Sequence, residues 1–185
     1  MKAAAFVVGP LDGPGAALMD MARRAGFETV RRYGGVGEAE AQAATTPVCF
    51  FLFASVPDAR LLRSHAEAIR FCPSKRVRFS PMVYFAETAS VDTIGACINM
   101  GFDDIVTLPA GPERVGERLG RQLGRNLVFY ETPGYFGPDR RDRVTAPHRA
   151  AESRLGGQFR RLEIVRDLEG GVEVLRDEFY RQQAV

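Results

Sequence analysis

Between residues 3 and 125, five short apolar runs alternate with five stretches of helical periodicity. This alternation restricts the fold more than any other feature of the chain. AAAFVVG (3–9), PVCFFLFA (47–54) and PMVYFA (81–86) are apolar almost without interruption, as strands covered on both faces must be. FETVRRY (27–33) alternates in polarity, the habit of an edge strand, and DIVTL (104–108) supplies a fifth. Helices are predicted at 13–25, 36–44, 58–71, 89–100 and 112–125. Their inward residues by spacing are Leu18, Met21, Ala22 and Ala25; Leu62, Ala66 and Ile69; Val91, Ile94 and Ile98; Val115, Leu119 and Leu123 or Gln122.

Strands alternating with helices, joined by right-handed crossovers, give a parallel sheet covered by helices on both sides. Five strands within residues 1–126 fit an α/β, flavodoxin-like (βα)5 arrangement with strand order 2-1-3-4-5. After Arg125 the alternation stops. LVFYETPGYFGPDRRDR (127–143) reads as an extended arm, and residues 127–157 as arm plus linker. In 158–185, FRRLEIVRD (159–167) alternates as a strand would. LEGG supplies a turn, and 172–183 reads as a return arm that becomes helical. So small a hairpin cannot bury a core alone; it is expected to dock on the first domain or on a second protomer.

Composition narrows the class of protein. Of 185 residues, 45% are hydrophobic and 26% charged, as in globular domains, and no apolar run reaches the ~18 residues of a membrane span. The apolar run in MKAAAFVVGP is shorter than the ~7–15 residues of a signal-peptide core, so it reads as a first strand and the expected location is the cytoplasm, without membrane insertion. Net charge is +2, too weak to imply a polyanion partner. Cys49, Cys72 and Cys97 lack CxxC spacing and are expected to be buried apolar side chains. With His65 and His148 the only histidines, no metal and no cofactor is expected.

NMGFDDIVTLP (99–109), PMVYFAETAS and PVCFFLFASVP together resemble the receiver domain of bacterial response regulators over about residues 3–125. YFGPDRRDR (135–143) resembles an arginine-rich ending of some alphaproteobacterial receiver proteins. The resemblance implies transfer of a phosphoryl group to an aspartate. That chemistry takes an acidic pair and Mg²⁺, a hydroxyl and a lysine to stabilise the developing charge. Matched position by position, the acidic pair falls on Gly9 and Pro10 and the nucleophile on Phe53. The hydroxyl falls on Ala86, and the lysine on Leu108, followed by Pro109 where the family has its cis-proline. Every reactive position is hydrocarbon or glycine, so the resemblance is to a degenerate, non-phosphorylatable pseudo-receiver. Asp12, Asp58 and Glu87 near the same edge read as solvated or capping carboxylates. No nucleophile, base and oxyanion donors assemble, so no enzyme is expected.

What remains is surface. The resemblance implies that Thr93 to Arg125 mediates dimerisation and docking, with Asp104, Ile105, Arg114, Arg118, Arg121 and Arg125 as interaction candidates. The expected partners are a second copy and a histidine kinase or other signalling protein. Residues 60–79 carry a local excess of five positive charges, including Arg70, Lys75, Arg76 and Arg78. That stretch reads as ordinary surface, with nucleic acid not expected. Arg140, Arg141 and Arg143 beside Tyr135 and Phe136 could clasp an anion. The packing of Phe129, Tyr130, Tyr135 and Phe136 on the core is the simpler expectation. The alternative to an interaction module is therefore a ligand- or DNA-binding regulator using the basic stretch or the arginine-rich tail.

Overall fold

A computed structural model of the chain describes residues 1–10, 12–139 and 158–181. The elements are β1 (Ala4–Val8), α1 (Pro14–Arg24), β2 (Thr29–Arg32), α2 (Val36–Thr45), β3 (Cys49–Phe53), a 3₁₀ turn (Ala59–Leu62), α3 (Arg63–Arg70) and a short α4 (Lys75–Arg78). There follow β4 (Met82–Ala86), α5 (Val91–Asn99), β5 (Asp104–Thr107), α6 (Pro112–Gly120), β6 (Leu127–Thr132), β7 (Tyr135–Pro138), β8 (Gln158–Asp167) and β9 (Gly171–Arg181). No helix among the described residues is long and apolar enough to cross a membrane.

The first five strands form one parallel sheet in the order β2-β1-β3-β4-β5, the flavodoxin-like arrangement. Its uninterrupted apolar strands divide by alternation between two cores. Phe6, Phe51, Phe53, Met82 and Tyr84 pack beneath α2, α3 and α5. Val7, Phe50, Leu52, Val83 and Phe85 pack beneath α1 and α6. The three cysteines are buried, and burial pushes the Cys49 thiol up to about 12.

Three details differ from the sequence reading. In α5, Ala96, Cys97 and Met100 face inward, while Val91 is 86% and Ile94 38% exposed. Ser90 fixes this phase by accepting a hydrogen bond from the Thr93 N–H at 3.1 Å, and Ala96 and Cys97 are small enough for close approach to the sheet. The last helix stops at Gly120 rather than 125, because the chain turns through Gly124 (φ +64) to donate its N–H to the Arg166 carbonyl at 2.9 Å. Finally, although Phe129 and Phe136 do pack on the core, residues 127–138 are not an extended arm. They form the β6–β7 hairpin of a second, antiparallel sheet in the order β7-β6-β8-β9. β9 is a strand to Arg181, not a helix, because it pairs with β8 along its length around a turn in which the Asp167 carboxylate accepts the N–H groups of Glu169 and Gly170.

The second sheet covers the amino-terminal edge of the first. Phe79, which precedes β4, packs with Phe129 and Phe136 at 5.3 Å each, together with Leu127, Leu162 and Ile164. Deeper lies a buried ionic cluster. Asp103 accepts Arg70 Nη2 at 2.5 Å, the Met82 N–H at 2.8 Å and Arg166 Nη2 at 2.7 Å. Arg70 also donates to the carbonyls of Gly101, Arg78 and Ser80 at 2.8–2.9 Å, and Arg166 Nε to that of Phe79 at 2.6 Å. Both guanidinium groups lie over the Phe129 ring, at 5.6 and 5.4 Å.

Burial alone would raise the Asp103 carboxyl. Arg166, then Arg70 and the Met82 N–H, outweigh it and hold the group below its ordinary 3.8. A depressed carboxyl contributes stability that is fully present above that ordinary value and lost as pH falls below it. Removing one partner of a buried ion pair costs about 3–5 kcal/mol. Asp103→Asn is therefore expected to lose that much at neutral pH in urea unfolding. Its deficit relative to the parent should shrink as the pH is taken through the acid range below 3.8.

Candidate functional site

In a parallel sheet of this kind, ligands and reactive groups sit at the carboxyl ends of the strands. β1 runs into Gly9, whose φ of +120 suits glycine; a Cβ there would stand 3.4 Å from that of Ala54. Phe53, at the end of β3, is fully buried with its ring centroid 4.6 Å from that of Phe102. Tyr84 lies next to Phe102 at 6.1 Å, and its hydroxyl accepts the Val56 N–H at 3.3 Å and donates to the Val56 carbonyl at 3.4 Å. Ala86 is buried at the end of β4, and the Leu108–Pro109 peptide bond is cis.

The carboxylates near this edge do not converge. Asp58 accepts the Arg60 N–H at 2.9 Å as cap of the 3₁₀ turn and pairs with the Arg60 side chain. Asp12 is exposed. Glu87 stands on the wall of an otherwise apolar cleft of about 500 Å³ with Leu18, Met21, Phe85, Leu108 and Pro109. A second cleft of about 420 Å³ opens beside Gly9 and Pro10, between Tyr33, Leu61 and His65. Among the described residues, no three His, Cys, Asp or Glu side chains group so as to hold a metal ion. Such an edge can receive apolar surface. Among the described residues, Asp58, the carboxylate there with a cation beside it, is engaged as the cap of the 3₁₀ turn.

The neighbouring face, made by α5, β5 and α6, brings several candidate residues together. Asp104 is held by Arg118 through Nε at 2.8 Å and through a second, shorter contact from Nη2, which also donates to the Ile105 carbonyl at 3.0 Å. Arg118 is thus tied to the first residue of β5 rather than to the glutamates of its own helix. Val91 and Ile94 are exposed on α5, Ile98 and Ile105 are half-buried, and Arg114, Arg121 and Arg125 are exposed along α6 and the turn after it.

The basic stretch is different from its sequence reading. Arg70 is buried in the Asp103 cluster. Arg78 is half-buried, bonds Glu131 at 2.7 Å and lies 4.1 Å from the centre of the Phe136 ring. Arg76 donates to the Ala43 carbonyl at 2.7 Å, and only Lys75 of the four is exposed without such an anchor. These arginines join elements to one another because their reach spans the gap between sheets, and little of their charge is left to make a surface patch. Arg140, Arg141 and Arg143 lie outside the described residues. Two functional-looking residues escaped the sequence reading, Asp103 and Arg166. Their signal was phase: Leu162, Ile164 and Arg166 alternate onto one face of β8, which places a charge on the inward side of a strand.

No protein-family model matches the chain, and no curated protein matches it. Among solved structures, it is similar to the receiver domain of a sensor histidine kinase from Pseudomonas aeruginosa PAO1 that has a magnesium ion coordinated in its active site cleft. That pair is 15% identical, covering 64% of this chain and 94% of that one at a TM-score of 0.46. It is also similar to a CheY-like response regulator receiver domain protein from Methanospirillum hungatei JF-1 (18% identical, 66% and 94% covered, TM-score 0.44). A response regulator from Thermotoga maritima is similar at 14% identity, 65% and 97% coverage and a TM-score of 0.45. The chain's own architecture is an α/β fold whose five-stranded parallel sheet has the flavodoxin-like order, with a second, antiparallel sheet appended.

Truncating a fully buried phenylalanine costs about 3–5 kcal/mol. Phe53→Ala should lose that much in urea unfolding, and Phe53→Asp should lose more, because a carboxylate would be buried against the Phe102 ring.

Proposed function

We propose that this chain is a pseudo-receiver that works in bacterial two-component signalling as a protein–protein interaction module, in the cytoplasm, by binding and not by catalysis. The observation that carries the reading is the burial of Phe53 at the carboxyl end of β3, with Gly9, Ala86 and Leu108 after or at the ends of β1, β4 and β5, where receiver chemistry would need charge. The receiver-like fold supplies the signalling context. The docking surface is the α5–β5–α6 face, with Val91 and Ile94 as the apolar centre and the Arg118–Asp104 pair at its rim. The fitting occupant is a histidine kinase or another receiver-binding signalling protein. The alternative of a DNA-binding regulator is weakened by the internal use of Arg70, Arg76 and Arg78.

Incubation with acetyl phosphate and Mg²⁺, followed by intact-mass measurement, tests the reading. No phosphoryl adduct is expected under conditions that label an active receiver; an acid-stable, hydroxylamine-sensitive adduct on any aspartate would overturn it. Binding to immobilised histidine-kinase dimerisation domains should be lost in Val91→Asp/Ile94→Asp while the unfolding midpoint is unchanged.

A further inference from the structure

β9 is the outermost strand of the second sheet, and no strand lies beyond it among the described residues. One edge pairs with β8 throughout; the other, along an 11-residue strand, pairs with no strand among the described residues. Two of the chain's exposed large apolar side chains stand on it, Leu175 at 45% and Phe179 at 58% exposure. A single bulge interrupts it: Glu163 faces Arg176 and Ile164 faces Val174, so Leu175 has no opposite residue.

We propose that β9 pairs antiparallel with the β9 of a second copy, joining two four-stranded sheets into one of eight strands. A two-fold axis normal to the sheet sets one residue opposite itself and pairs the rest at equal offsets. Leu175-Arg176-Asp177-Glu178-Phe179 is self-complementary about Asp177. Arg176 faces the partner's Glu178, and Leu175 faces the partner's Phe179, each twice by symmetry. Opposite charges and apolar pairs directly across strands are the favourable combinations. Arg176 and Glu178 share one face of the sheet, opposite Glu163 and Arg161, while Asp177 and Phe179 share the other, opposite Leu162 and Arg160.

The residue on the axis is already neutralised. Arg160 holds both oxygens of Asp177 through Nε at 2.6 Å and Nη2 at 2.5 Å, so two ion pairs meet there rather than two bare carboxylates. Other centres are worse. Arg176 on the axis opposes two guanidinium groups, and Glu178 on the axis opposes two carboxylates. Phe179 on the axis sets no apolar residue opposite Leu175. The bulge ends the flat stretch at Leu175, which confines the pairing to this segment. At the turn end Gly171 lies against Pro47 and Arg76, so the antiparallel arrangement carries the two receiver-like cores to opposite ends of the joined sheet. Because β9 is already folded, pairing adds backbone hydrogen bonds without ordering a new segment.

The inference is independent of the phosphorylation reading and has its own test, light scattering after size exclusion on the full chain up to high concentration. The parent should elute at twice the chain mass. Arg176→Glu and Glu178→Arg should each weaken association about tenfold or more, and the two together should restore it. Leu175→Asp/Phe179→Asp should be monomeric with unchanged far-ultraviolet dichroism. Should that apolar variant misfold, the charge exchange at surface positions decides. A parent that stays monomeric would overturn the proposal. So would a dimer indifferent to Arg176→Glu, or one that dissolves on Val91→Asp/Ile94→Asp instead.

Discussion

The structure turns on one carboxylate. Asp103 sits between Arg70, which closes α3, and Arg166, which comes from β8, and both guanidinium groups are buried with it. One negative charge cannot balance two positive ones, and burying charge is expensive. The difference is supplied by carbonyl oxygens of Gly101, Arg78, Ser80 and Phe79, all in segments that lead into β4 and β5. The cluster therefore reads the positions of those segments. It fits only when the second sheet stands at one height and one angle against the first. Apolar contact alone, between Phe79 and the rings of Phe129 and Phe136, would tolerate sliding; directional bonds to four carbonyls do not.

That constraint gives the two edges of the parallel sheet opposite fates. At the amino-terminal edge the second sheet comes so close that a Cβ on Gly101 would lie 2.3 Å from the Phe136 carbonyl oxygen, and one on Gly137 would lie 2.7 Å from the Gly101 Cα. Only glycine fits at either place. The carboxyl edge stays open, with shallow apolar clefts and carboxylates that are capped, exposed or dispersed. On the proposed reading, the chain keeps the receiver-like body as a rigid support. Recognition then falls to the exposed α5–β5–α6 face and to a sheet edge that belongs to the appended hairpins.

The parallel sheet could be read from the sequence because its signal is local. Strands buried on both faces must be apolar throughout, as in PVCFFLFA, and each is followed by a helix with its own stops. Pro109 likewise marked its place through the motif around it. The phase of α5 was misread because Val91, Ile94 and Ile98 mimic an inward stripe, whereas the Ser90 cap and the small Ala96 and Cys97 decide which side approaches the sheet. The second sheet was hidden because its pairing is long-range: β6 finds β8 across a separation that no periodicity records. The arginines of residues 60–79 were taken for surface because charge predicts exposure unless a partner is known, and the partner of Arg70 lies 33 positions away in Asp103.

Native-state amide hydrogen exchange tests most directly whether the ionic cluster makes the two sheets one structure. Amides of Leu162 and Ile164 in β8 should open only with the global unfolding that releases Phe51 and Leu52 in β3, at the same free energy and with the same denaturant dependence. If β6 to β9 instead exchange together at a distinctly lower free energy while β3 stays protected, the second sheet is a separate unit. Asp103 would then not be the residue on which the fold turns.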